Sequence, residues 1–274
     1  IELSLAVHSD AGYDKIGNDI TGSLAVCTTN FNEGRLNSGV SRMSSYDFAK
    51  TLLDGFDRDL GDFAGKWSRR YLWDKNYSET RIPEVPSAII ETLSHQSFPD
   101  MKLGQNPNFR FCMARSLYKS IVRYINNAHG KPTVIQPLAP NMFKIEFTDN
   151  NDVKLSWKAT DDKLEPSAYP TAYNVYTAIG GLDFDNGSLV TKNYAILHIL
   201  PGIQYNFKVT AVNRGGESFP TEVLSALYQP SATKTVLVVN GFDRLSSPAI
   251  IDNDSIQGFD FNKDPGVSYG LTAG

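Results

Sequence analysis

The chain has little cysteine, little histidine and no long apolar run, and each shortage excludes a class of protein. Two cysteines among 274 residues, Cys27 and Cys112, allow at most one internal bridge. That excludes a disulfide-framed scaffold and a cysteine-rich zinc module. No apolar stretch reaches the roughly 18 residues that cross a bilayer, so no transmembrane segment is expected. Positive charge is not in excess: 26 Lys and Arg stand against 30 Asp and Glu, a net charge of −4. Such a balance makes no broad basic surface, and no nucleic-acid partner is expected. An initiator Met and a signal peptide are also missing, so the chain reads as an internal piece of a longer protein.

What is present describes a folded protein. With 41% hydrophobic and 11% aromatic residues and a mean hydropathy of −0.29, the chain can build real cores and is not disordered. At roughly 100–200 residues per domain, its length suggests about two domains.

Residues 1–129 read as α/β. Leu3–Val7, Ser23–Cys27 and Pro86–Leu93 are apolar strand candidates. A helix is predicted over Ser41–Leu60, where Phe48, Leu52, Leu53, Phe56 and Leu60 recur at helical spacing. A second is predicted over Phe109–Ile125, with Phe109, Met113, Leu117, Ile121 and Ile125 on one face. This alternation suggests a mostly parallel sheet covered on both sides. Asp47, Asp54, Asp57, Asp59 and Asp62 crowd the first helix and its end, as a solvated face would.

The pattern changes at Gly130-Lys131-Pro132. Over 130–232 it becomes short alternating strands, such as Val153–Trp157, Tyr173–Tyr176 and Tyr205–Val212. Turns at Asn186-Gly187 and Gly215-Gly216 separate them, as in an all-β sandwich. Residues 233–274 begin with Thr235-Val236-Leu237-Val238-Val239-Asn240-Gly241-Phe242-Asp243. That apolar run suits the first buried strand of a further α/β domain, followed by a polar, loop-like stretch from Asp252 to Gly274.

Few residues could carry chemistry. His8 ends an apolar strand beside the small-residue loop Ser9-Asp10-Ala11-Gly12, where α/β proteins build sites; a hydrogen-bonded surface histidine would look the same. Glu91 sits in an otherwise apolar strand. A carboxylate there must be paired, protonated or near a metal, and it suits a general acid or base. The structural alternative pairs it with Arg81 or Arg115. Strand alternation could put Glu91, Leu93 and His95 on one face. His95 itself could ligate a metal, touch substrate or simply bond to a loop. His129 and His198 read as surface residues.

Two resemblances sharpen this picture. Leu-Ser-Trp157, Tyr173-x-Val175-Tyr176 and Leu200-Pro201-Gly202-x-x-Tyr205-x-Phe207-x-Val209 resemble a fibronectin type III domain. That resemblance makes Trp157 a core residue and Tyr205 the corner tyrosine, whose hydroxyl bonds to nearby backbone. Ser4-Leu5-Ala6-Val7-His8-Ser9-Asp10 resembles the S-x-H-x-[ND] strand of zinc-dependent N-acetylmuramoyl-L-alanine amidases of the amidase-3 type. Tyr77-Ser78-Glu79-Thr80-Arg81-Ile82-Pro83-Glu84-Val85-Pro86-Ser87-Ala88-Ile89-Ile90-Glu91 resembles their later P-x-x-[LI]-x-E strand. The likeness covers roughly residues 1–127. It implies an α/β domain, truncated at its N-terminus, that cleaves the amide between the lactyl group of N-acetylmuramic acid and L-alanine in peptidoglycan.

Carried over by position, His8 would ligate zinc and Glu91 would move the proton of a zinc-activated water. The family's other two ligands, a His and a Glu, belong upstream of Ile1, so weak or absent zinc is expected in this chain. Asp10 and His95 are conceivable substitutes, and Asp10, Arg81 and His95 are candidate substrate or supporting residues. The layout also resembles large secreted bacterial proteins sometimes labelled xanthan lyases, although no residue here points to β-elimination. The implied setting is extracellular or periplasmic, with peptidoglycan or another envelope glycan as partner. A non-catalytic envelope protein binding glycan or protein is the alternative.

Overall fold

The computed structural model describes residues 2–11, 20–64, 67–148, 151–239 and 246–266, without the side chains of 62–64. The chain divides into two compact units, one of residues 1–131 with 240–274 and one of residues 132–239.

The first unit is a mixed α/β layer. Its elements run β1 (Ser4–Asp10), β2 (Ser23–Cys27), α1 (Met43–Ala64), β3 (Arg69–Asp74), α2 (Ser78–Arg81), β4 (Ser87–Ser94), α3 (Phe98–Gly104) and α4 (Pro107–Ala128). The sheet order is β1-β4-β2-β3. β1 runs parallel to β4 and β2 parallel to β3, but β2 and β4 meet antiparallel. The sheet is therefore less uniformly parallel than the helix–strand alternation suggested. β3 escapes a pattern search because it is a charged edge strand, Arg-Arg-Tyr-Leu-Trp-Asp.

One sheet face is covered by α1 and α4. Ala25, Cys27, Ala88 and Ile90 pack there under Phe48, Leu52, Phe56, Leu60, Phe109 and Met113. These are the helical-spacing residues of the two predicted helices, and their burial is the main force ordering both. The other face holds a smaller cluster of Leu24, Val26 and Ile89, with Ala6 and Tyr71 against it.

α1 and α4 approach closely at Gly55, where a Cβ would lie 2.1 Å from Ser120 Oγ and would make that hydroxyl turn aside. One turn further along α1, Asp59 is buried and holds Lys119 of α4 at 3.0 Å. Asp59 therefore does not belong to a solvated acidic face. Asp47 and Asp57 are exposed as expected, but a long helix turns one of its acids inward when a lysine waits on its neighbour.

A second buried acid ties the loops together. Asp100 accepts from the backbone amides of Thr21, Gly22 and Ser94 at 2.7, 3.0 and 2.9 Å. It thereby joins the start of β2 to the end of β4. Gly22, at φ 82, passes so close to Ser68 that a Cβ would lie 1.9 Å from its carbonyl oxygen.

The second unit is a β-sandwich. β5 (Asn141–Phe147), β6 (Asp152–Lys158) and β9 (Tyr194–His198) form one sheet. β7 (Ala172–Ile179), β8 (Ser188–Val190), β10 (Gln204–Asn213), β11 (Gly216–Glu217) and β12 (Leu224–Leu227) form the other. Alternate residues point inward. Val153, Leu155 and Trp157 from one sheet meet Val175, Tyr205, Phe207, Val209 and Ala211 from the other. Tyr205 Oη accepts from the Leu200 amide at 3.3 Å. Trp157 is buried edge-on to Tyr173, with ring centroids 5.4 Å apart.

The later segment departs from its expected form. Val236, Leu237, Val238 and Val239 are 73–84% exposed and form no strand. An apolar run becomes a buried strand only when neighbours supply ladder bonds and cover both faces. No described strand does so here. Asn240 to Asp243, the rest of that motif, lie outside the described residues. Part of the expected polar loop is instead a hairpin, β13 (Ala249–Asp252) with β14 (Gln257–Asp260). Phe259 meets Phe98 at 5.7 Å, and Asp252 meets Lys102 at 3.3 Å.

Candidate functional site

β1 and β4 bring the two singled-out residues together. In their parallel register His8 lies directly opposite Glu91, toward the C-terminal ends of both strands. Side chains directly opposite in a sheet share a face. Glu91 is also in register with Leu24 of the smaller cluster, so the pair sits on the face away from α1 and α4. His8 Nδ1 is 3.7 Å from Glu91 Oε1.

The rest of the site comes from α2. Glu79 Oε1 lies 3.0 Å from His8 Nε2, so the imidazole is held between two carboxylates. This short helix is anchored by Thr80, whose hydroxyl meets Thr28 Oγ1 at 2.7 Å. Glu79 was legible only as part of the stretch Tyr77-Ser78-Glu79-Thr80-Arg81. Nothing in its spacing announced that α2 folds back toward the end of β1.

Glu91 is the unusual carboxylate. Its side chain is 18% exposed, and Oε2 is buried with no hydrogen-bond partner. Burial pushes its pKa above the ordinary carboxylate range. The His8 charge pulls it down, while the Asp10 and Glu79 carboxylates push it up again. An orphaned, proton-hungry oxygen beside an imidazole can take a proton from a water and give it back to a leaving group.

The other candidates fall elsewhere. Asp10 is held by Arg70 of β3, with Nη1 2.5 Å from Oδ2. Arg70 also donates to Tyr71 Oη at 3.0 Å. Arg81 is not the partner of Glu91: it donates to Asn76 Oδ1 at 2.9 Å and lies over Phe31. Arg115 sits on α4, which packs on the other sheet face. Leu93 and His95 do not share a face with Glu91. Leu93 belongs to the core beneath α1 and α4. His95 lies beyond the strand end, with Nδ1 3.0 Å from Ser9 Oγ. A register shift between His8 and Asp10 breaks the simple alternation. His129 and His198 each meet a surface acid, Glu2 and Asp152.

Catalytic zinc needs three protein ligands around an open position. Among the described residues no three His, Cys, Asp or Glu are placed to hold a metal. His8 Nε2 is engaged by Glu79 Oε1 at 3.0 Å. Burial, with the Asp74 charge, pushes the Cys27 thiol pKa up to about 12. Cys27 and Cys112 are both free thiols.

Comparison with known proteins identifies the second unit. Residues 138–226 match the fibronectin type III domain family. No curated protein matches the chain. Among solved structures, a myokine structure is similar at 15% identity and a TM-score of 0.30, over 34% of this chain and 99% of that one. The twitchin kinase region from C. elegans is similar at 23% identity and 0.32, over 43% of this chain and 22% of that one. The fourth FNIII domain of a human protein is similar at 19% identity and 0.33, over 38% and 89%. The protein is thus multi-domain, a fibronectin type III sandwich joined to an α/β region. No described helix is long and apolar enough to cross a membrane.

Proposed function

We propose that the α/β unit is an amidase-type hydrolase centre in which Glu91 is the proton carrier and His8 its neighbour. The single observation behind this reading is the buried, unpartnered Oε2 of Glu91 beside His8. In the proposed reaction a water oxygen bonds to the amide carbonyl carbon while Glu91 accepts the water proton. The C–N bond then breaks, and Glu91 returns that proton to the departing amine. A carboxylic acid and an amine result, and the carboxylate of Glu91 is restored.

The substrate class is the lactyl–L-alanine amide of peptidoglycan, at an extracellular or periplasmic location, as the resemblance of the β1 and β4 motifs implies. The chain itself is proposed to bind zinc weakly or not at all. The test combines metal content by plasma mass spectrometry with release of free amine from an N-acetylmuramoyl-L-alanyl peptide. Release by the protein, reduced by about 100-fold or more in Glu91→Gln, supports the reading. Release that survives Glu91→Gln unchanged removes Glu91 from it.

A second reading is favoured by one observation, the closure of His8 Nε2 by Glu79. It is a non-catalytic envelope protein whose amidase-like cleft binds glycan without cutting it. Retention on peptidoglycan sacculi without amine release would select it. A polysaccharide lyase would instead raise ultraviolet absorbance through an unsaturated sugar.

A further inference from the structure

The sandwich carries a second candidate site, independent of the His8–Glu91 pair. On the outer face of the β5-β6-β9 sheet lies a cavity of about 520 Å³, within the size range of ligand pockets. Lys144, Lys154 and Lys158 line it. Lys192 joins them at Tyr194, with Nζ 3.2 Å from the phenol oxygen. Against these four lysines the cavity presents one acid, Glu146, which Lys144 holds at 2.9 Å. The hydrogen bond and charge of Lys144, with the charge of Lys154, hold the Glu146 carboxyl below its usual range. A locally positive shelf on a chain of net charge −4 is not explained by composition.

The register gives the shelf its shape. Ser156 lies between Lys144 on one neighbouring strand and Tyr194 on the other. Lys154 and Lys158 flank Ser156 along β6, about 13 Å apart at the usual rise of a strand. Lys154 and Lys192 both lie near the Tyr194 ring, at 5.4 and 5.3 Å from its centroid. One polar atom on this outward face is buried without a hydrogen-bond partner, Ser156 Oγ. At the end of the shelf, Met142 takes a left-handed φ of 51 beside a register shift in β5, and its side chain is 68% exposed. Such shifts re-aim side chains at functional edges. Ile196, 56% exposed, extends the apolar ground between the charges.

We propose that this face binds an acidic polysaccharide, a linear sugar chain bearing carboxylates. Lysines spaced along β6 meet the carboxylates. Tyr194, Met142 and Ile196 offer apolar ground for the C–H faces of the rings. A purely electrostatic polyanion site would have no use for that ground.

The test is titration of the full chain with polygalacturonate, followed by calorimetry, with dextran and duplex DNA as comparison polymers. Binding to polygalacturonate but not dextran is expected, weakening as salt rises. The double variant Lys154→Ser with Lys158→Ser should weaken it about tenfold. Tyr194→Ser should weaken it at every salt concentration, since that change removes apolar ground and no charge. All changed side chains are at least partly exposed, and an unchanged melting temperature of the lysine variant checks its fold. Absent binding at low salt overturns the proposal. So does equal affinity for duplex DNA, or binding that the lysine variant leaves intact.

Discussion

β4 and β10 are both central strands with buried residues along most of their length, yet they are built differently. β10 belongs to a sandwich and buries Tyr205, Phe207, Val209 and Ala211 at alternate positions. β4 lies inside a sheet with a packed core on one face and a site on the other, and carries Glu91 among its apolar residues. The same contrast runs through the two units. Among the described residues the sandwich unit buries one charged side chain, Glu165, whereas the α/β unit buries Asp59, Lys119, Asp100 and Arg42. Buried charges need particular partners from distant parts of the chain. The α/β unit therefore depends on specific pairings where the sandwich depends on apolar volume.

The largest expected effects break each unit by its own logic. Phe207→Ala should cost the sandwich about 3–5 kcal/mol, the range for emptying a fully buried aromatic site. Lys119→Ala should cost the α/β unit somewhat less, about 1–3 kcal/mol, because Asp59 loses its buried cation and keeps only the half-exposed Arg58. Urea unfolding, followed by a probe in each unit, should show each variant moving only its own transition. If Lys119→Ala leaves the α/β transition in place, the claim that this unit rests on paired charges fails. Burial alone would raise the Asp59 pKa, but hydrogen bonds and charge from Arg58 and Lys119 win and hold it low. Its stabilisation is thus present above the ordinary carboxylate pKa and fades as the pH falls through the depressed value.

A smaller effect sharpens the sandwich side. Tyr205→Phe keeps the ring and removes only the bond from the Leu200 amide, so about 1 kcal/mol should be lost. A shift as large as that of Phe207→Ala would mean the hydroxyl does more than fasten a corner.

The smallest effect has the opposite sign. Because burial raises the Glu91 pKa, the folded state holds its proton more tightly than the unfolded state does. Stability associated with Glu91 is therefore complete below its ordinary pKa and falls as the pH rises through the folded value. Glu91→Gln removes that penalty. The variant should melt at a higher temperature than the wild type at pH 7, and the gain should vanish at about pH 3.5. A lower melting temperature at pH 7 would make Glu91 a structural partner of His8 instead.

Much of the fold was legible from local pattern. The apolar stripes of α1 and α4 and the alternation of β6 and β10 follow from side-chain periodicity, and the corner at Tyr205 from the resemblance to a fibronectin type III domain. β3 was not, because edge strands tolerate charge and so lose their alternation. The exposed Val236–Val239 run misled for the reverse reason: apolarity marks a strand that could be buried, not one that has been. His8 and Glu91 stood out as oddities in strands, but Glu79 did not, since an acid on a short helix is ordinary until the chain folds it onto a histidine. The inward turn of Asp59 escaped for the same reason, as did the lysine shelf, whose members come from three separate strands and the turn before β9.

By itself the sequence determined where α1, α4 and the alternating strands form and which face of each is apolar, because those depend on periodicities of two and 3.6 residues within one segment. It also settled the sandwich, whose cross-sheet core repeats one simple rule. Only the tertiary structure decided which charges are buried and with whom. It placed His8 opposite Glu91, closed its other nitrogen with Glu79, and paired Asp59 with Lys119. Electrostatic energies depend on the distance between groups far apart in the chain and on the solvent removed from around them. No local pattern carries either quantity.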